Sequence, residues 1–234
     1  MKIPPCHRWD LDVSQALELQ VKLSRKVMCC NDKMNIKLIA GIDVSVSRYS
    51  RTGRAAVVVL NYPDLEVRDI SVAEGAIDFP YIPGLLSFRE APLALQAWRG
   101  LETRPDLLMV DGQGLAHPRR LGIASHLGLL LNIPSIGCAK SRLIGTHDSL
   151  PEEAGSYSLL MENDEVIGAV VRTKHAVKPL YVSIGHRTDL DSAIRLVLNC
   201  CQGFRLPQPT RLAHIAAGGS SDLNVRLYDE RKIK

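Results

Sequence analysis

An α/β fold built on one mixed sheet flanked by helices is what this sequence predicts, on three observations. Apolar, β-branched runs follow one another closely at residues 38–46, 54–62 and 65–73, parted only by turn-like residues 50–53 and Pro63-Asp64, which fits antiparallel hairpins. Beyond them, short apolar runs at 107–112 (LLMVDG) and 134–138 (PSIGC) alternate with helical patterns, as buried parallel strands with helical crossovers do. Finally, 234 residues of which 46% are hydrophobic suit one core, so residues 1–234 are expected to form a single domain.

Taken in order, residues 13–30 place Val13, Leu17, Val21 and Met28 at helical spacing among polar residues, with Ser14 as the expected cap. The three strands of the hairpins come next. A loop over Asp78 to Gly84 leads into a helix at 85–101, the short strand at 107–112, a helix at 120–132 and the short strand at 134–138. Residues 156–172 read as a further hairpin turning at Asn163-Asp164, followed by a strand at 180–184 and helices at 189–201 and 209–218.

Three antiparallel strands followed by helix-strand-helix-strand is the order of a ribonuclease H-like mixed sheet. In that sheet the first and fourth strands are neighbours, so Asp43, near the end of the first, and Asp111, at the end of the fourth, are expected side by side. Ligand sites in α/β sheets favour this place, outside the carboxyl ends of the strands.

A formal net charge of +4 permits a nucleic-acid partner but falls short of proteins that bind by charge alone. More telling is the position of Arg119, Arg120, Lys140 and Arg142 beside the acid and glycine motifs. The six cysteines include two adjacent pairs, Cys29-Cys30 and Cys200-Cys201, and no Cys-x-x-Cys spacing, which argues against a zinc site. With no long apolar segment at the start, and Asp10 early in the chain, neither a signal peptide nor a membrane anchor is expected. Reduced thiols in the cytoplasm are the expected setting, with no membrane association and a monomeric state.

GIDVS (41–45) sets one acid in an apolar strand, and MVDGQG (109–114) does the same before a glycine-rich turn. Two carboxylates converging at a sheet edge repel unless a proton or cation lies between them, and they supply the oxygen ligands that Mg²⁺ favours. Taken singly, each acid is as readily a turn residue. In FPYIPGLLSFREAPLAL (79–95), Pro80 and Pro83 bracket Tyr81 and stiffen the loop, which suits insertion into a base stack, while on composition alone a core tyrosine and a solvated Glu90 compete with that reading. DGQGLAHPRRLGIASHLG (111–128) offers glycine-rich backbone N–H groups at a helix start, suited to phosphate or the polar edge of a base. Lys140 in CAKSR (138–142) either holds a phosphate or is solvated. His7, His126, His147 and His175 have no context that selects them, and His117 and His186 lie in the motif blocks without being required as ligands.

Together GIDVS, PYIPGLLSFRE, DGQGLAHPRRLGIASHLG, GCAKSRLIG and KPLYVSIGHRTDL, in this order across residues 10–220, resemble the endonuclease V family. The resemblance implies a ribonuclease H-like fold, a Mg²⁺ requirement that Mn²⁺ also meets, and recognition of deoxyinosine, with hydrolysis of the second phosphodiester 3′ to it. It makes Asp43, Glu90 and Asp111 the metal-binding acids, and adds Lys140 and His214 to the catalytic set. It makes Pro80, Tyr81, Ile82 and Pro83 the wedge that parts the strands. Leu86, Gly112, Gly114, Ile123 and Gly137 become the base pocket, with Arg89, Arg119, Lys140 and Ser141 placed to meet phosphates.

The implied reaction is phosphodiester hydrolysis leaving a 3′-hydroxyl and a 5′-phosphate. Backbone N–H and C=O groups around Gly112, Gly114 and Gly137 are expected to pair with the carbonyl and N1–H of hypoxanthine. A close wall there would reject the 2-amino group of guanine. Inosine-containing DNA is the expected partner, with RNA open as an alternative. A junction resolvase or transposase-like nuclease of the same fold, and a module that binds inosine without cutting, are the rival readings.

Overall fold

The computed structural model describes residues 7–30, 35–46 and 51–219. The leading residues with Cys6, and Ser50 of the first expected turn, lie outside the described residues. The elements in chain order are α1 (Val13–Ser24), β1 (Leu38–Val46), β2 (Thr52–Asn61), β3 (Val67–Ala76), α2 (Leu86–Arg99), β4 (Leu107–Val110) and α3 (Ile123–Leu131). They continue with β5 (Ser135–Ala139), β6 (Tyr157–Glu162), β7 (Glu165–Val171), β8 (Leu180–His186), α4 (Leu190–Asn199) and α5 (Gln208–Ala217).

One sheet holds all eight strands in the order β3-β2-β1-β4-β5-β8-β7-β6. Its first five strands carry the expected ribonuclease H-like arrangement: β1 pairs antiparallel with β2 and parallel with β4, and β4 pairs parallel with β5. The expected hairpin at 156–172 forms as β6–β7 and extends the same sheet through β8, antiparallel to β5.

Strand alternation sorts the core into two layers. Ala40, Ile42, Leu108 and Val110 face α2 and α3, packing on Ala91, Ala94, Trp98, Ala124 and Leu127. Ile39, Leu107 and Met109 face α4 and α5, packing on Ala193, Val197, Ala213 and Ala217. Gly41 and Asp43 share the second face, which puts α5 over the acid.

Most boundaries shift by a residue or two from expectation, and four of the differences have a clear local reason. In α1 the cap is Asp12, not Ser14: Asp12 Oδ1 accepts the Gln15 amide at 2.9 Å and Gln15 Oε1 accepts the Asp12 amide at 3.1 Å, a reciprocal capping box. That start buries Ala16, Gln20 and Leu23, leaving Val13, Val21 and Met28 exposed in place of the expected apolar stripe. The helix ends at Ser24, where Lys26 and Val27 close short turns onto Leu23 and Ser24. β3 starts at Val67 because Leu65, at φ 59°, bends the chain before pairing resumes. α3 begins at Ile123 because Arg120 is left-handed at φ 54° and Gly122 is extended.

Candidate active site

The parallel pairing of Ile42 with Val110 makes Asp43 and Asp111 the next residues on neighbouring strands, and the Asp111 amide donates to the Ile42 carbonyl at 3.0 Å. Both carboxylates are largely covered, each side chain 11% exposed. From α5, His214 brings Nδ1 to 2.7 Å from Asp43 Oδ2. From the segment after β5, Lys140 forms an ion pair with Asp111 Oδ2. A ligand atom from each of Asp43, Asp111 and His214 lies within 4.8 Å of the others.

At 2.7 Å from a carboxylate, His214 Nδ1 is the proton-bearing nitrogen, which leaves Nε2 as an acceptor. The Lys140 ammonium, 3.4 Å from the same Nδ1, then finds no lone pair there and belongs to Asp111. Burial and the neighbouring Asp43 charge raise the Asp111 carboxyl, while Lys140 and His214 pull it back. Burial also pushes Glu90, on α2, up to about 8, with the charges of Asp43 and Asp111 raising it and Arg89 lowering it. Glu90 feels both aspartates but stands outside the group whose ligand atoms come within 4.8 Å. Crowded carboxylates that resist ionising are a donor set suited to a hard divalent cation.

Four of the five expected pocket residues form one cluster. A Cβ on Gly137 would lie 2.5 Å from the Gly114 nitrogen and 2.7 Å from the Gly112 oxygen, and one on Gly112 would lie 2.5 Å from the Ile123 side chain. Leu86 stands half-buried at the start of α2. The expected pocket residue Gly114 is hydrogen-bonded within the protein. Its N–H donates to Ser183 Oγ and its carbonyl accepts the Gly122 amide, both at 2.9 Å. Gly137 is likewise paired within the sheet, to β4 and β8, leaving Gly112 as the half-exposed member.

Tyr81 stands 71% exposed at the tip of the Pro80–Pro83 stretch, while Ile82 turns inward towards Leu85 and Phe88. A core-packed tyrosine is thereby excluded. Arg89 and Arg119, expected to meet phosphates, are turned onto protein carbonyls: Arg89 Nη1 donates to Phe79 at 2.6 Å and Arg119 Nη2 to Gly84 at 2.9 Å. Ser141 is exposed, and its carbonyl accepts Gln113 Nε2 at 2.9 Å.

Sequence reasoning missed Gln20, which hydrogen-bonds to the Gly84 and Leu121 carbonyls, and Arg205, which donates to the Lys140 carbonyl at 2.6 Å. A polar residue one turn from Ala16 on a buried face was the only signal for Gln20. For Arg205 there was none, because a bond to a backbone carbonyl leaves no mark on the acceptor's sequence.

The model of the family described as endonuclease V matches residues 20–215 of this chain. An endonuclease V of Dehalococcoides mccartyi is 56% identical over 217 residues, covering 93% of this chain and 97% of that protein. The crystal structure of an endonuclease V from Streptomyces avermitilis superposes with a TM-score of 0.85 at 35% identity, covering 93% of this chain and 96% of that one. An endonuclease V of Ciona intestinalis, in complex with a DNA containing an inosine followed by a ribo-adenosine, superposes with a TM-score of 0.77 at 27% identity, covering 91% and 97%.

Proposed function

The chain belongs to the endonuclease V family, and we propose that it is a divalent-metal-dependent endonuclease of DNA repair that recognises inosine and hydrolyses the second phosphodiester 3′ to it. The observation that carries this reading is the convergence of Asp43, Asp111 and His214 at the carboxyl ends of two neighbouring parallel strands, with Lys140 alongside. The inosine-containing DNA bound by the Ciona protein supports the substrate.

Asp43 and Asp111, with Glu90 behind them, would hold Mg²⁺ or Mn²⁺. Such a cation supplies positive charge at the phosphate and a bound water of lowered pKa. His214, its Nδ1 proton committed to Asp43, has Nε2 free to take a proton from the attacking water. As water adds to phosphorus the bond to the 3′-oxygen breaks and that oxygen takes a proton from solvent, leaving a 3′-hydroxyl and a 5′-phosphate. Lys140 can turn from Asp111 to the phosphate oxygens and offset their growing charge.

Tyr81 is the group for the gap left when the inosine turns out of the stack, since it is the exposed tip of a loop held through Phe79, Ile82 and Gly84. Residues 1–234 act as one catalytic domain and as a monomer in this reading. Free thiols at Cys29, Cys30, Cys138, Cys200 and Cys201 accord with the cytoplasm. No helix among the described residues is long and apolar enough to cross a membrane.

The test is a nicking assay with Mg²⁺, Mn²⁺ or chelator on one inosine in duplex DNA, the same inosine in RNA, a four-way junction and undamaged duplex. Cation-dependent nicking of inosine strands alone is expected. The DNA and RNA arms assign the preferred sugar. Junction cutting at a comparable rate would favour a resolvase, and tight inosine binding without any nick would favour a binding module.

A further inference from the structure

The loop carrying Tyr81 is held at both ends by side chains that bond its backbone carbonyls. Its last residue, Gly84, presents a carbonyl that accepts from Gln20 Nε2, His117 Nε2 and Arg119 Nη2, each at 2.9 Å. A carbonyl has two lone pairs, so three donors on one oxygen is a dense arrangement. The donors are tied to one another. Gln20, fully buried on α1, sends its second hydrogen to the Leu121 carbonyl at 2.8 Å and accepts Arg119 Nε at Oε1. His117 Nδ1 accepts the Arg119 amide at 3.1 Å, which leaves the proton on Nε2, the nitrogen facing Gly84.

Gly84 itself is left-handed at φ +80°, and a Cβ there would stand 2.7 Å from Arg119 Nη2. At the other end Arg89 holds the Phe79 carbonyl at 2.6 Å. Between these points the Leu85 amide closes a turn onto the Ile82 carbonyl at 2.9 Å. Phe79, Ile82 and Gly84 are thus held, while Tyr81 projects into solvent.

We propose that Gln20, His117 and Arg119 clamp the Gly84 carbonyl so that the Tyr81 loop is held in one position before nucleic acid binds, making Gln20 a positioning residue for strand separation. This rests on the reading of Tyr81 as the group that enters the duplex. A held tip binds without the cost of ordering the loop, and a buried polar network that loses one member leaves the others unpaired. The chain links are long: α1 supplies Gln20 and the segment after β4 supplies His117 and Arg119, so the loop is registered against both the first helix and the glycine-rich segment after Asp111.

The test compares Gln20→Leu, His117→Ala and His117→Gln, the last retaining a donor near the place of Nε2. Hydrogen exchange at the Leu85 amide reads the loop directly, and cation-free affinities for inosine in duplex and in single strand read its consequence. Exchange is expected to speed up roughly tenfold in Gln20→Leu and His117→Ala, with duplex affinity falling by a similar factor and single-strand affinity by much less. His117→Gln should restore both. In a Tyr81→Ala background the duplex loss should vanish.

Unchanged Leu85 exchange in both disruptive variants overturns the clamp. Equal losses on the two substrates, or losses that add to that of Tyr81→Ala, overturn the positioning role. If Gln20→Leu does not fold, the two His117 variants decide alone. Should Tyr81→Ala cost nothing on duplex, the strand-separation reading falls, and the positioning role with it, while Leu85 exchange still decides whether the clamp holds the loop.

Discussion

A methyl group on Gly41 would stand 1.8 Å from the carbonyl oxygen of Pro209, so β1 and the first turn of α5 are in direct backbone contact. Asp43 is two residues further along the same face of β1, roughly 7 Å on, and His214 is one helical turn past Thr210, roughly 6 Å on. The helix and the strand advance together. The glycine of GIDVS thereby sets the approach that lets His214 reach Asp43.

Gly41→Ala should therefore damage stability and chemistry together. The obstructing atoms are backbone, which cannot swing aside, so about 1–3 kcal/mol or more of destabilisation is expected from overpacking. Gly75→Ala is the control, since a Cβ there meets side chains and no backbone, Leu93 at 3.3 Å and Gln96 at 3.6 Å. Thermal melting and single-turnover cleavage of both variants check this. A Gly41→Ala protein with unaltered melting and cleavage would remove the proposed link between α5 and the site.

Asp43→Asn and Asp111→Asn should each lower cleavage by a factor of at least about 10² while preserving inosine binding in cation-free buffer, because each removes a charged cation ligand. Asp111→Asn should not lower the melting temperature appreciably, since burial and Asp43 already disfavour its charge. Nicking by either variant at the parent rate in saturating Mg²⁺ would displace the acids from their proposed role.

Stability without divalent cations should peak close to pH 6.5. Burial lowers His117 to about 4, His126 to about 3 and His186 to about 4, from an ordinary 6.5. Below 6.5 the unfolded chain takes up these protons first, so stability that is complete above that pH is lost as the pH falls towards 4. Glu90 acts in the opposite sense. Its folded value of about 8 against an ordinary 4.5 gives stability that is complete below 4.5 and lost progressively as the pH rises from there through 8. Chemical denaturation between pH 4.5 and 9 should show both limbs, and Glu90→Gln should remove the fall between 6.5 and 8 while steepening the rise below 6.5, which Glu90 opposes. An alkaline slope unchanged in that variant would show that Glu90 is not its source.

The strands themselves and the arrangement of the first five were legible in the sequence, because alternation and short apolar runs are local signals whose succession fits one known sheet, and Asp43 and Asp111 stood out as acids in apolar strands. The rotation of α1 was not. Gln20 occupies the buried face because two carbonyls and Arg119 satisfy it, so a hydrophobicity pattern counts it on the wrong side. Nor does any local signal say that β8 joins β5, since antiparallel partners are chosen by tertiary packing. His214 came from family resemblance, not from spacing, for a helix 171 residues beyond Asp43 has no sequence mark of its proximity, and Lys140 stood out in CAKSR without any sign that it pairs with Asp111. The orientation of Arg89 and Arg119 was equally hidden, because a basic residue beside a motif serves a phosphate or a backbone carbonyl with the same chemistry.

Arg205 supplies the last prediction. Its Nη2 donates to the carbonyls of Lys140 at 2.6 Å and Pro179 at 2.9 Å, and its own carbonyl accepts Thr173 Oγ1 at 2.7 Å. The backbone of the lysine is thus pinned while its ammonium is free to exchange Asp111 for a phosphate. Arg205→Gln should lower kcat about tenfold with little change in KM, as expected when an interaction used mainly in the transition state is misplaced. The double-mutant cycle with Lys140→Ala separates this from general damage. If Arg205 acts through Lys140, removing it from a chain that already lacks the ammonium should cost nothing further in rate. If it merely supports the fold, the same loss of rate and melting temperature should recur in both backgrounds, and the positioning role would have to be abandoned.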